Sequence, residues 1–368
     1  MSAGRNLNPV VAFTGGGTGG HIYPGLAVAA ALRDICDCRV VWLGSKNKLD
    51  RFIVETAGIE FEEISSGKLR RYFSLKNFTD IFRIIAGYFS ALRLFKKYNP
   101  SLLFSKGGFV SVPPCVAAFT LRIPVYTHES DFSPGLATKI NAYFAKKIFI
   151  TYERTYSYFG RKHLKKIIQS GNPVRPEFYA ANPERGRSFL NISADEKILL
   201  VLGGSQGASE LNALIESCLD ELTKKFFVVH QTGAGGQTEG KKSTPRYISL
   251  PYIKDEMPDI LSAATIILGR AGAGTVWECA AVGRPMLLIP LSGSATRGDQ
   301  IENADFFEKK GAACMLIRPD SAKLLETLND LSSDAERLSV MAAASLQIGV
   351  MRGAPLIARH IAEQVLEK

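Results

Sequence analysis

The chain has 368 residues, 46% of them apolar and 22% charged, a composition that fits a folded globular protein and excludes a disordered or fibrous one. Its length exceeds one ordinary core and points to two domains of roughly 150 to 200 residues each. The formal net charge of +10 favours partners that carry phosphate or another anion.

The N-terminal segment Met1–Pro9 is short and polar, which predicts no export signal, and every apolar stretch is interrupted well before the ~18 residues needed to span a bilayer. Cysteines at positions 36, 38, 115, 218, 279 and 314 form no CxxC pair, so buried reduced thiols are expected and no metal site.

In chain order, VVAF runs into the glycine turn TGGGTGGH (Thr14–His21) and the helical pattern AVAAALRD. RVVWLG, SLLFSKGG, IPVYTHES and KIFIT follow as further strands. The second half repeats the rhythm with ILLVLGG, FFVVHQTG, RYISLPY, TIILGRAG and PMLLIPL. Continuous apolar strands separated by helices predict parallel sheets buried on both faces, an α/β chain of two doubly wound halves. The stretch GNPVRPEF (Gly171–Phe178) predicts the boundary, giving domains 1–172 and 173–347, with a last helix over about 348–368 that packs back on the first domain.

Glycines allow a backbone to pass close to an anion, and the N-terminus of a following helix aims N–H groups and a positive dipole end at the same spot. Thr14–His21, Ser105–Ser111 (SKGGFVS) and Gly203–Ala208 (GGSQGA) all follow apolar strands in this way, although any one alone is also explained as a structural turn. The spacing departs from GxGxxG and no acid stands about 20 residues after the first turn, which disfavours a nicotinamide cofactor. A fourth segment, GRAGAGTVWE (Gly269–Glu278), is expected to place Thr275 and Glu278 in the first turn of a helix, as ribose ligands or as capping residues. Asp299, Gln300 and Asn303 in RGDQIENA suit sugar hydroxyls or an ordinary polar cap.

A local basic patch lies between Lys68 and Lys97, where Lys68, Arg70, Arg71, Lys76, Arg83, Arg93, Lys96 and Lys97 face one acid, Asp80. On a helix, Phe78, Ile81, Phe82, Ile85, Phe89 and Leu92 share a face, widened by Ile84, Tyr88 and Phe95, with Arg83, Arg93, Lys96 and Lys97 beside it. The pattern predicts contact with an anionic membrane surface and no nucleic acid, against the alternative that the face packs on the sheet.

Taken together, GGGTGGHIYPGLAVA, GGFVSVP, IPVYTHES, GNPVR, VLGGSQGASELN, QTGAG, RAGAGTVWE and GDQIENA resemble the MurG family, which adds N-acetylglucosamine to the lipid-linked peptidoglycan precursor. The resemblance implies a GT-B fold, two Rossmann-like domains with the active site in the cleft between them, and an inverting transfer from UDP-N-acetylglucosamine to the C4 hydroxyl of the muramyl unit of an undecaprenyl-linked acceptor. No metal or other cofactor is implied, in keeping with the lack of an Asp-x-Asp motif. It further implies a peripheral place on the cytoplasmic face of the bacterial inner membrane.

By the same resemblance, the uracil lies against the backbone near Ile253, Arg175 touches the donor, and Glu278 takes the ribose hydroxyls. Ser205, Ala273, Gly274 and Thr275 hold the donor diphosphate, with Asp299, Gln300 and Asp131 at the sugar and Thr18, Gly19 and Gly20 nearby. Gly17, Lys106, Gly107, Gly108 and Phe109 seat the acceptor diphosphate. His21 is the candidate general base, with His128 and Glu129 as weaker alternatives, while His163, His230 and His360 read as structural or exposed. Three positions depart from the family: Asp131 where Asn is usual, Phe109 where Tyr is usual, and Asp299 in place of the first of two Gln. Competing readings are a diacylglycerol glycosyltransferase, a UDP-sugar 2-epimerase, and a non-catalytic membrane scaffold of the same fold.

Overall fold

The computed structural model describes residues 8–67, 76–203, 208–233, 245–292 and 298–367, with side chains of the helix that begins at Lys76 described from Asp80 onward. The chain divides into two units, Met1–Arg175 with Met351–Lys368, and Pro176–Val350.

The first unit holds a seven-stranded parallel sheet built from β1 (Val10–Thr14), β2 (Arg39–Gly44), β3 (Glu60–Glu63), β4 (Leu102–Ser105), β5 (Val125–Glu129), β6 (Lys147–Ile150) and β7 (Ile167–Gln169). Their order is β3-β2-β1-β4-β5-β6-β7. The helices α1 (Gly19–Arg33), α2 (Lys48–Thr56), α3 (Lys76–Tyr98), α4 (Val112–Thr120) and α5 (Leu136–Phe144) connect the strands. Alternation along β1 feeds two cores: Val11 and Phe13 pack with α1 and the last helix, Gly353–Leu366, while Ala12 packs with α3 and α4. Strand residues buried on both faces are the direct consequence of helices covering both sides of a parallel sheet.

The second unit holds a six-stranded parallel sheet of β8 (Ile198–Leu202), β9 (Phe227–Gln231), β10 (Tyr247–Leu250), β11 (Ile266–Gly269), β12 (Met286–Leu288) and β13 (Ala313–Met315), ordered β10-β9-β8-β11-β12-β13. Both sheets reverse direction of winding at one place, between β1 and β4 and between β8 and β11. At such a switch point neighbouring loops leave on opposite faces and open a crevice at the carboxyl ends of the strands.

Candidate functional site

The first, second and fourth glycine turns follow strands at these two switch points, and most of the third, 204–207, lies outside the described residues. In the first unit, β1 and β4 pair in parallel with Thr14 beside Ser105, so the turns that follow them start side by side. The Lys106 amide donates to the Thr14 carbonyl at 2.8 Å, which ties one turn to the other. Gly17 has φ +86°, and its amide donates to the carboxylate of buried Asp50 at 2.7 Å, an acceptor also reached by the Ser45 hydroxyl at 3.0 Å. Thr18 precedes α1 with extended backbone and makes no side-chain cap. Its hydroxyl instead shares a 2.9 Å hydrogen bond with Nδ1 of His21.

The second turn passes through Gly107 and Gly108 at φ +85° and +76°, conformations that favour glycine. A Cβ placed on Gly108 would lie 3.4 Å from the His21 ring, and one on Gly17 would lie 3.0 Å from the Phe109 ring. The two turns therefore close around His21 and Phe109. A buried polar network braces the second turn: Asn141 donates to the hydroxyls of Ser105 and Ser111, and the Ser111 hydroxyl donates to the Gly108 carbonyl at 2.8 Å. Sequence reasoning missed both Asp50 and Asn141, because an acid in a helix first turn and a lone amide in a helix are ordinary there.

His128 is fully buried with Nε2 at 3.1 Å from the Gly171 carbonyl, and burial together with the Lys106 charge holds it far below the usual imidazole range. Full burial, with Nε2 tied to the Gly171 carbonyl, makes it a packing group. Glu129 is equally committed, accepting from the amides of Asp131 and Gly135 at 3.1 Å each. Lys106, expected at the acceptor diphosphate, is 3% exposed. Arg175 places its guanidinium 5.0 Å from the centre of the Tyr23 ring on α1. Of the other histidines, His163 and His230 are buried, and His230 is held between Tyr247 and Asn212; His360 lies beside Lys147 and Glu363.

In the second unit, Ser205 lies outside the described residues. The fourth turn leads into the helix Ala273–Ala281, whose first helical bond runs from Val276 N–H to the Gly272 carbonyl, so the amides of Ala273, Gly274 and Thr275 face forward from its end. A Cβ on Gly272 or Gly274 would meet nothing within 4 Å, so there is open space beside the start of this helix. Glu278 stands in the second turn of this helix, and the first turn carries no acid, so the expected capping role does not apply. Arg270, 8% exposed, donates to the Ile289 carbonyl and to Glu210 at 3.0 Å each, a clamp that its place inside TIILGRAG, a charge within an apolar run, could have signalled.

Asp299 and Gln300 open the helix Asp299–Lys309. Gln300 accepts from the Leu291 amide at 2.8 Å, and buried Asn303 donates to the Ala271 carbonyl at 3.0 Å, so Asn303 fixes the fourth turn instead of facing a sugar. Ile253 is buried, and its amide donates to the Gln231 side chain at 3.0 Å.

On α3, Ile81, Phe82, Ile85 and Phe89 are 46, 71, 48 and 62% exposed, whereas Ala91, Leu94, Phe95 and Tyr98 are buried against the sheet. The outward face is thus narrower than expected, since Phe95 belongs to the core and Leu92 packs against it. Arg93 and Lys96 are exposed, but Arg83 pairs with Asp80 at 3.3 Å and Lys97 donates to Glu62 at 2.7 Å. Lys68, Arg70 and Arg71 lie outside the described residues, as do the side chains of Lys76 and Phe78.

The glycosyltransferase family 28 N-terminal domain matches residues 11–150 and the corresponding C-terminal domain residues 198–360. A Treponema denticola protein named UDP-N-acetylglucosamine--N-acetylmuramyl-(pentapeptide) pyrophosphoryl-undecaprenol N-acetylglucosamine transferase is 49% identical over 95% of this chain and 96% of its own. A protein of the same name from Clostridium tetani is 37% identical over 95 and 98%. The crystal structure of Acinetobacter baumannii MurG superposes with a TM-score of 0.70 at 25% identity, covering 98% of this chain and all of that one. UDP-GlcNAc 2-epimerase from Neisseria meningitidis, at 14% identity and a TM-score of 0.65 over 98 and 99% of the two chains, shares the fold alone. Two parallel-sheet Rossmann-like units and a match of this length and identity have one reading: the chain is a GT-B protein that belongs to glycosyltransferase family 28, in its MurG group.

Proposed function

We propose that this enzyme transfers N-acetylglucosamine from UDP-N-acetylglucosamine to the C4 hydroxyl of the N-acetylmuramyl unit of an undecaprenyl pyrophosphoryl acceptor, with inversion and without a metal ion. The observation that carries the reading is the meeting of two glycine turns on one ionisable side chain, His21, at the switch point of the first sheet. His21, whose ring is oriented by its hydrogen bond with the Thr18 hydroxyl, is the group that takes the proton of the attacking hydroxyl. The turns at Gly17 and at Gly107–Phe109 then seat the acceptor diphosphate, the amides of Gly108 and Phe109 facing it while those of Gly17 and Gly107 hold the turns through Asp50 and Ser105, with Lys106 contributing charge.

The unit Pro176–Val350 binds the donor. Amides at the start of the helix Ala273–Ala281, the turn between β8 and the helix Ser209–Ser217, and Arg175 stabilise the charge that develops on the departing UDP. Glu278 takes the ribose hydroxyls, the Ile253 backbone the uracil, and Asp299 with Gln300 the acetylated sugar, with Thr18, Gly19 and Gly20 near it. The first unit docks at the cytoplasmic face of the inner membrane through the outward face of α3, where the lipid acceptor resides.

UDP release measured with the undecaprenyl-linked acceptor and with diacylglycerol tests the reading. Turnover with the former is expected, His21→Ala lowering kcat by about 100-fold or more with donor binding kept, and Glu278→Ala abolishing donor binding. Release with diacylglycerol alone, or wild-type rates in both variants, sinks it.

A further inference from the structure

Arg270 stands at the switch point of the second sheet. β8 and β11 pair with Leu202 beside Gly269, and the Arg270 amide donates to the Leu202 carbonyl at 3.3 Å, so the residue sits where the third and fourth glycine turns leave their strands. Its guanidinium is divided between two partners. One terminal nitrogen donates to the Ile289 carbonyl at the end of β12 and the other to Oε2 of Glu210, at 3.0 Å each. Nε is buried and has no partner among the described residues. The two ends of the ion pair are unequally placed, since the arginine side chain is 9% exposed and the glutamate side chain 84%. Glu210 is the second residue of the helix Ser209–Ser217, whose backbone is anchored by buried Leu211 and Ile215.

A buried cation needs a counter-charge, and Glu210 is a weak one. Its carboxylate keeps most of its contact with water, so the pairing gains little Coulomb energy and costs side-chain freedom. A diphosphate carries more negative charge and can offer two oxygens to the planar fork of a guanidinium. Glu210 meanwhile brings a negative charge to the helix start that follows the third glycine turn, so it repels a phosphate there as well as occupying the cation. We propose that Glu210 is a stand-in anion: it holds Arg270 in the free enzyme and yields it to the donor diphosphate, which makes Arg270 a further ligand of the departing UDP and Glu210 a brake on donor affinity. The inference rests on the assignment of the donor diphosphate to this unit.

Calorimetric titration of the full chain with UDP and with uridine, at low and high salt, tests the exchange. Glu210→Gln is expected to tighten UDP binding by about three- to tenfold at low salt, the gain shrinking as salt is added, and to leave uridine binding within about twofold of wild type. Arg270→Lys keeps the charge but loses the fork, and is expected to weaken UDP binding by about tenfold with uridine unaffected. Unchanged or weaker UDP binding in Glu210→Gln would overturn the exchange and reduce the pair to a structural clamp. An equal gain for UDP and uridine overturns it too, because the effect would then lie outside the phosphates. Wild-type UDP affinity in Arg270→Lys removes Arg270 as a ligand; should that variant not fold, the exposed Glu210→Gln change decides alone. A wild-type chain that binds UDP no more tightly than uridine refutes the diphosphate assignment and the inference together, whereas a preference for UDP without the Glu210→Gln gain removes the inference only.

Discussion

Asp50 shows how a residue distant in sequence can decide the shape of a glycine turn. Its buried carboxylate takes the Gly17 amide and the Ser45 hydroxyl, and a Cβ on Gly16 would come within 2.7 Å of the same carboxylate oxygen. The glycine run is thus shaped by an acid more than thirty residues later, and glycine is required at position 16 by space, at 17 by its positive φ. Asp50→Ala strands the part-buried Gly17 amide and the buried Ser45 hydroxyl and should cost about 1 to 3 kcal/mol of stability, together with a rise in acceptor KM; Asp50→Asn keeps an acceptor oxygen and should lose less. Chemical denaturation and acceptor titration of both variants check this, and an alanine variant as stable as wild type would remove Asp50 from the argument. Nothing local in KLDRFIVET marks that role, because an acid in a helix first turn reads as a partner of the dipole. The sequence singles out His21 and the glycines because they stand together in one run; the groups that hold the turns, Asp50 and Asn141, became visible only when distant segments met.

Among the elements, the strands that the apolar runs announced are the central ones and one edge, β10. β3, β7 and β13 went unread, and all three are edge strands of three or four residues. An edge strand is covered on fewer sides, so its sequence need not be continuously apolar: β3 reads EFEE, with Glu60 exposed, Phe61 buried and Glu63 exposed. The α3 helix was legible as amphipathic, but periodicity alone could not say which apolar residues faced inward. Its buried stripe is set by Gly87, Ala91, Leu94 and Phe95, small where the helix approaches Ser65 and Pro113 most closely. That leaves Phe82 and Phe89 with most of their surface in water. Burying a phenylalanine is worth about 1.5 to 3 kcal/mol, so Phe82→Ser with Phe89→Ser should weaken binding to vesicles of anionic lipid by at least about tenfold. Melting temperature should stay within about a degree, because neither ring supports the core. Co-sedimentation measures the first and a thermal scan the second; undiminished vesicle binding would reassign this face.

At the scale of the whole molecule, the chain crosses from one unit to the other twice, at Arg175–Pro176 and at Val350–Met351. The first unit is therefore completed by the last helix, whose Ile357, Ala358 and Ile361 are fully buried with α1. Each unit has a core of its own, and each core contains one of the chain's two tryptophans, Trp42 at 0% and Trp277 at 2% exposure. Trp42 donates to the Gly15 carbonyl at 3.0 Å, and Trp277 packs edge-on against Phe307, so each reports unfolding of its own unit. A single stability value does not describe such a chain. A ligand that binds one unit raises that unit's unfolding free energy by about 2.7 kcal/mol when present at 100 times its Kd. With UDP at that excess, the Trp42→Phe variant, in which Trp277 alone fluoresces, should melt several degrees higher. The Trp277→Phe variant, seen through Trp42, should shift by less, because the donor's nucleotide is assigned to the unit Pro176–Val350. An equal or larger shift in the Trp42 signal would move the nucleotide site to the first unit and exchange the proposed labour of the two pairs of glycine turns.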